Sequence, residues 1–297
     1  MGFLAAGSLA SRAFMIDGLL QGLRELGYVE GQNIALEYRF SDGRDERLPE
    51  LAADLVNRKV DAIVVSGATA AFAAARTTTA LPIVMGAIAA DPVATGLLAS
   101  LARPGGNVTG IYFMSRELAG KRLELLKEIV PGLSRVAVLA NSTVPTTGPV
   151  MEDLGVAART LVVQLQPLEV RSPEEIDPAV QAAARDGAQA LIVTADPMTS
   201  NRPAAMADIA MRYRLPATME LRQFADAGGL MYYGPDIVDG YRRSATHVDK
   251  ILRGARPAEL PVEQATRFEL IINLKVAQAF GLTIPESVLL QATELIR

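Results

Sequence analysis

Apolar and polar positions recur in the same order in two distant stretches of the chain. Residues 61–86 read "DAIVVSGATAAFAAARTTTALPIVMG", and residues 190–220 read "ALIVTADPMTSNRPAAMADIAMRYRLPATME". Each opens on an apolar, β-branched run and passes through a loop of small, acidic or hydroxyl residues. Each then enters a helix and ends at Leu-Pro before a second short strand. The Leu-Pro junctions have an ordinary cause: proline stops a helix and opens a strand without a ladder N–H.

The alternation extends along the chain. A strand at 2–6 precedes a helix at about 13–26, which closes at Gly27. In "NIALEYRF" (33–40), Ile34, Leu36, Tyr38 and Phe40 alternate with polar residues, the period of a half-exposed strand. Helices follow at about 46–58, 69–78 and 93–102, separated by the strands "DAIVVS" and "LPIVMG", and "NVTGIYF" completes this series. A second series begins after a helix at about 116–130, with the strand "RVAVLAN". It continues through helices at about 147–160, 173–186 and 200–213. Its further strands are "LVVQLQPLEV", "AQALIVT", "LPATM" and "GGLMYYG". Pro167 places "LVVQLQPLEV" near a sheet edge. Continuous Ile/Val/Leu runs are what parallel strands covered on both faces require. The pattern therefore predicts an α/β protein: two Rossmann-like lobes, each a βαβαβαβ unit with its own parallel sheet. The repeat is topological, with little residue identity between the halves.

Composition narrows the chemistry. A length of 297 residues suits two domains, and 50% hydrophobic content suffices for a core in each. The net charge of -4, with no basic stripe, argues against nucleic acid as a partner. The chain has no cysteine, which excludes disulfides, thiolate nucleophiles and iron–sulfur clusters. His247 is the single histidine; it lies in the amphipathic segment "YRRSATHVDKILRG" and reads as a surface or half-buried imidazole. No phosphate-binding loop, dinucleotide fingerprint, metalloprotease motif or nucleophile elbow is present, so no cofactor, metal or catalytic residue is expected. The opening "MGFLAAGSLA" lacks a basic start and reads as the first strand; an exported form would carry its leader ahead of it. No run approaches the ~20 apolar residues of a membrane span.

Ligands of parallel α/β sheets bind outside the carboxyl ends of the strands, and two such sheets are expected to share one cleft between the lobes. The strand-end loops are therefore the candidate site. In "SGAT", Gly67, Ala68, Thr69 and Ala70 offer helix-start amides suited to a carboxylate, or a plain cap by Ser66 or Thr69. Ser8 and Ser11 in "GSLAS" either donate to a ligand or cap the first helix, capping being the default. Ala87 lies in the loop before "ADPVATG". Asp91 and Asp196 precede prolines and suit N-caps, with pairing to a ligand ammonium as the functional alternative. Asn141, Ser142 and Thr146 in "NSTVPTTG" offer a polar shell or an ordinary turn. Glu220 is a second candidate for a cation, or else a solvated helix-start carboxylate. Of the two tyrosines in "MYYG", packing is the default for one, while Tyr233 is a candidate to stack on a ligand.

Longer segments carry a resemblance. "GLRELGYVEGQNIALEYRFSDGRDERLPELAADLV", "DPVATGLLASLARPGGNVTG", "ELAGKRLELLKEIVPGLSRVAVL", "AGGLMYYGPD" and "LPVEQATRFELIINLKVAQAFGLTIP" resemble the ABC-transporter substrate-binding proteins of the tryptophan/tyrosine type, over essentially the whole chain. The resemblance implies a type I periplasmic-binding-protein fold, with two lobes joined by a three-segment hinge that closes on its ligand. By analogy with that fold, residues 1–112 plus 236–264 form the N-terminal lobe, and 113–235 plus 265–297 the C-terminal lobe. It further implies a periplasmic or membrane-anchored extracytoplasmic protein that hands an amino-acid-like, aromatic solute to permease subunits. A monomer is the natural state for such a carrier. Carried onto this sequence, the resemblance places the carboxylate at the "SGAT" loop and an acidic partner at Asp91, with Asn141, Asp196 and Glu220 on the second lobe. An enzyme acting on a small amino or carboxylic acid on the same scaffold is the alternative. It would need converging acid and base groups, such as Asp91 with Glu220.

Overall fold

The computed structural model describes residues 1–89, 91–113, 117–144, 147–194 and 196–297. The chain divides into two compact units, Met1–Met114 with Pro235–Arg267, and Ser115–Gly234 with Phe268–Arg297. The elements run in chain order as follows. β1 (Gly2–Ala5), α1 (Leu9–Glu25), β2 (Glu37–Phe40), α2 (Leu48–Asn57), β3 (Ile63–Ser66), α3 (Ala68–Thr77), β4 (Ile83–Ile88) and β5 (Val108–Tyr112) open the first unit. The second begins with α4 (Glu117–Ile129), β6 (Arg135–Asn141), α5 (Thr147–Leu161), β7 (Gln164–Val170), α6 (Ile176–Arg185) and β8 (Ala190–Val193). It continues through α7 (Pro197–Ser200), α8 (Pro203–Arg212), β9 (Ala217–Met219), α9 (Arg222–Asp226) and β10 (Met231–Pro235). The chain then adds α10 (Ile237–Leu252) and β11 (Glu263–Gln264) to the first unit. It ends with β12 (Phe268–Asn273), α11 (Leu274–Ala279), α12 (Glu286–Leu289) and β13 (Glu294–Ile296) in the second.

Among the described residues the first unit holds a six-stranded sheet in the order β11-β5-β4-β3-β1-β2, its neighbours paired in parallel. Side chains alternate across it. Phe3, Ala5, Val64 and Val84 pack with Leu19, Leu23, Tyr241 and Val248 from α1 and α10. Leu4, Ile63, Val65 and Met85 pack on the opposite face with Leu48, Leu55, Ala70 and Ala74 from α2 and α3. Both faces of each central strand are thus apolar, which is why these strands read as unbroken hydrophobic runs. Gly18 and Gly22 let α10 approach α1 closely: a Cβ on Gly18 would stand 2.6 Å from the Val238 carbonyl, and one on Gly22 would meet the Arg242 carbonyl.

Among the described residues the second unit repeats this layering around a seven-stranded sheet in the order β13-β12-β10-β9-β8-β6-β7. Val136, Val138 and Ile192 face α4 and α5, while Ala137, Leu139, Leu191 and Val193 face α6 and α8. Pro167 pairs opposite Val138 on β7, the edge strand, as proline's missing donor demands.

Three segments depart from the expected pattern. Residues 92–96 form turns rather than the start of the helix expected over about 93–102, with Gly96 at φ 74°. The helix expected over 200–213 is α8, which starts at Pro203, and a short helix not expected, α7, precedes it. β2 covers only the end of "NIALEYRF", where residues 37–40 pair with β1.

Candidate functional site

In the first unit β1, β3 and β4 are adjacent, so the loops at their carboxyl ends are neighbours. Ser8 caps α1 through a capping box. Its Oγ accepts from the Ser11 amide at 3.4 Å, while Ser11 Oγ accepts from the Ser8 amide at 3.1 Å and donates to the Ser8 carbonyl at 2.9 Å. Both hydroxyls therefore serve the helix start.

The start of α3 is built differently. Its N-cap is Gly67, at φ 87° and ψ 159°, a region essentially reserved for glycine, and no side chain caps it. Neither Ser66 nor Thr69 supplies the expected plain cap: Ser66 donates to Met15 Sδ at 3.4 Å, and Thr69 is exposed. The amides of Ala68, Thr69 and Ala70 begin the helix with no side-chain acceptor, and the helix dipole favours an anion in front of them. Ala87 pairs with Ser66 where the β3–β4 register shifts, bringing its backbone beside this loop. Asp91 is half-buried and caps its own turn, Oδ1 accepting from Val93 N at 2.9 Å and Ala94 N at 3.1 Å.

In the second unit Asn141 and Asp196, at the ends of adjacent strands, come together. Asn141 Nδ2 donates to Asp196 Oδ1 at 3.4 Å, and that oxygen also accepts from Met198 N at 2.7 Å. Both residues are buried, so Asp196 is foremost a local cap. Asn141 Oδ1 accepts from the Thr143 amide at 3.0 Å and hydroxyl at 2.7 Å. Ser142 is exposed and its amide donates to the Val170 carbonyl at 3.2 Å. Thr146 lies outside the described residues. The Tyr233 ring stacks on Phe268 at 6.3 Å between centroids, so packing engages this tyrosine as well as the buried Tyr232.

Glu220 is not the solvated carboxylate its position suggested. Its side chain is 15% exposed and its Oε1 lies 3.0 Å from Arg122 Nη1. Arg122 is 2% exposed, and its Nε donates to the Tyr233 carbonyl at 2.8 Å. Sequence reading passed over this arginine. The available signal was its spacing: it falls within the apolar stripe formed by Ala119, Leu123 and Leu126 on α4, where a solvated cation does not belong.

Arg12 and Tyr241 were also missed. Arg12 Nε donates to the Ala6 carbonyl at 2.9 Å, placing a cation beside the loop after β1. Tyr241 lies fully buried below Gly86, where an added Cβ would collide with its ring. Burial pushes its phenol up to about 12, against a smaller downward pull from Ser66 and the charge of Arg12. His247 is buried as well, deeper than the surface or half-buried placement expected of it. One ring nitrogen, Nε2, lies 3.1 Å from the Pro261 carbonyl. Among the described residues no group of three or more acidic or histidine side chains is arranged to hold a metal.

Comparison with known proteins agrees with this architecture. Residues 7–296 match the family model described as ABC transporter substrate binding protein. The tyrosine-binding protein of Clostridioides difficile is 25% identical over 267 residues, 89% of this chain and 76% of that protein. The ABC domain from Streptococcus pneumonia solved in complex with L-Trp is 28% identical, with a TM-score of 0.88 across 99% of this chain and 98% of that one. A conserved domain protein from Vibrio cholerae is 27% identical, with a TM-score of 0.89 over 99% of both chains.

Proposed function

The chain belongs to the ABC transporter substrate binding protein family, and from that premise we propose that it is the extracytoplasmic receptor of an importer for an aromatic amino acid. It acts as a monomer, turns over no substrate, and passes its ligand to the membrane-embedded permease subunits. The observation carrying this reading is the likeness, over nearly the full length of both chains, to a domain solved with L-Trp. The relative named for tyrosine points to the same ligand class.

An amino acid presents a carboxylate, an ammonium and a side chain. The uncapped amides of Ala68 to Ala70, with the Thr69 hydroxyl, suit the carboxylate. Asp91 of the first unit and Glu220 of the second are alternative carboxylates proposed for the ammonium. Each charged hydrogen bond contributes roughly 1.5–3 kcal/mol. Ser8, Ser11 and Asp196 serve chiefly to hold these loops in shape.

The test is a thermal-shift screen of the purified protein against the common amino acids, followed by calorimetry. L-tryptophan or L-tyrosine at a hundredfold excess over Kd should stabilise the native state by about 2.7 kcal/mol. Thr69→Ala should bind about tenfold more weakly with an unchanged melting temperature, as expected for loss of roughly one hydrogen bond. Stabilisation by some other solute class and by no aromatic amino acid would refute the ligand assignment.

A further inference from the structure

Arg122 stands in an apolar stripe, and stability alone does not explain it. A buried ion pair is generally no more stabilising than well-packed apolar side chains of the same volume, because both charges must be stripped of water. A pair retained for stability would also satisfy every donor. Arg122 Nη2 is buried and has no hydrogen-bond partner among the described residues. The Thr218 hydroxyl is in the same position. Thr218 pairs in parallel register with Met231, whose side chain belongs to the core cluster under α4. Thr218 therefore faces α4, and Glu220, two residues further on, follows the same side of the strand direction. The polar spot thus lies at the carboxyl end of β9, where α4 covers the sheet.

The guanidinium spans two fixed points, donating from Nε to the Tyr233 carbonyl and approaching Glu220 through Nη1. The carbonyl belongs to β10, next to β9, and cannot move without disturbing the sheet. Arg122 therefore clamps the Glu220 carboxylate by one oxygen while that side chain retains partial exposure. Such a clamp holds an acceptor oriented at a strand tip, as recognition of a cation requires.

We propose that Arg122 is a positioning residue for amino-acid selectivity: anchored to the Tyr233 carbonyl, it fixes Glu220 to accept the ligand's ammonium. The inference rests on the amino-acid reading of the site. It makes Glu220, rather than Asp91, the ammonium acceptor, and makes the pair the element that separates an amino acid from its des-amino analogue.

Calorimetry on wild type, Glu220→Gln and Arg122→Lys provides the test, with L-tryptophan and 3-(indol-3-yl)propanoate as ligands and thermal melts alongside. Wild type should favour the amino acid at least tenfold. Glu220→Gln keeps an oxygen for Arg122 but removes the charge, and should bring that preference close to one. Arg122→Lys keeps the positive charge but cannot span both anchors, and should lower the preference severalfold. In both variants affinity for the des-amino compound should stay within about twofold. A purely structural pair would instead lower both affinities together or neither, and that result overturns the proposal. Retention of the full preference in Glu220→Gln overturns it as well. If Arg122→Lys melts well below wild type, Glu220→Gln decides the matter alone. If wild type binds neither compound but binds a solute without an ammonium group, the amino-acid reading fails and the proposal fails with it. If wild type discriminates and the variants do too, only this proposal fails.

Discussion

The start of α3 and the turn after β8 face the same chemical problem and solve it in opposite ways. Both lie where a parallel strand gives way to a helix, and both leave the first helical amides in need of acceptors. After β8 the chain supplies its own: Asp196 Oδ1 takes the Met198 amide, with Asn141 holding that carboxylate from the side. After β3 it supplies none, because Gly67 occupies the cap and Ser66 turns to Met15. The first arrangement is closed, and the second is open to an outside anion. The acidic residue in a strand-end loop thus marks scaffold here, and the plain small-residue loop marks the better candidate for ligand. The same contrast separates the carboxylates, since Asp91 caps its own turn while Glu220 is held by a cation brought from another element.

The contrast can be probed most severely at Arg122. Arg122→Met strands the Glu220 carboxylate in a largely buried position and should destabilise the protein by about 3 kcal/mol, read from urea unfolding. The double variant with Glu220→Gln should recover much of that loss. At the closed turn, Asp196→Ala should cost about 1 kcal/mol through the lost cap. Its melting temperature should fall without a change in ligand preference. His247 gives a pH signature confined to the first unit. Burial lowers its pKa below the usual 6.5, while the Pro261 carbonyl and Glu263 pull weakly the other way. The unfolded chain then binds the extra proton first, so stability is full above about pH 6.5 and declines as pH falls toward the folded-state value. His247→Gln should flatten melting temperature against pH in that window. The smallest effect on stability is expected at the open helix start, where Thr69→Ala should leave melting unchanged and show only in binding.

Much of the architecture could be read without coordinates. Runs such as Ile63–Val65 and Leu191–Val193 are apolar on consecutive residues because both faces of a parallel strand are covered, and that burial leaves a direct mark on composition. The capping pairs Ser8–Ser11 and Asp196–Met198 were legible for a similar reason, since a cap and its amide lie two or three residues apart. The stretch expected as a helix over about 93–102 was misread because alanine and leucine there favour helix, while Gly96 and the prolines on either side favour the turns found at 92–96.

Local order along this chain determined which segments are strands, which are helices, and where loops of candidate chemistry lie, because those properties depend on neighbours within a turn or two. Tertiary structure alone decided that Arg122 meets Glu220 and the Tyr233 carbonyl across about a hundred residues of chain, and that α3 begins without a cap. It also decided that His247 and Tyr241 are buried. The reason is physical: the state of a polar group depends on which partners and how much water surround it in three dimensions, and sheet order brings together residues whose separation in sequence carries no trace of the meeting.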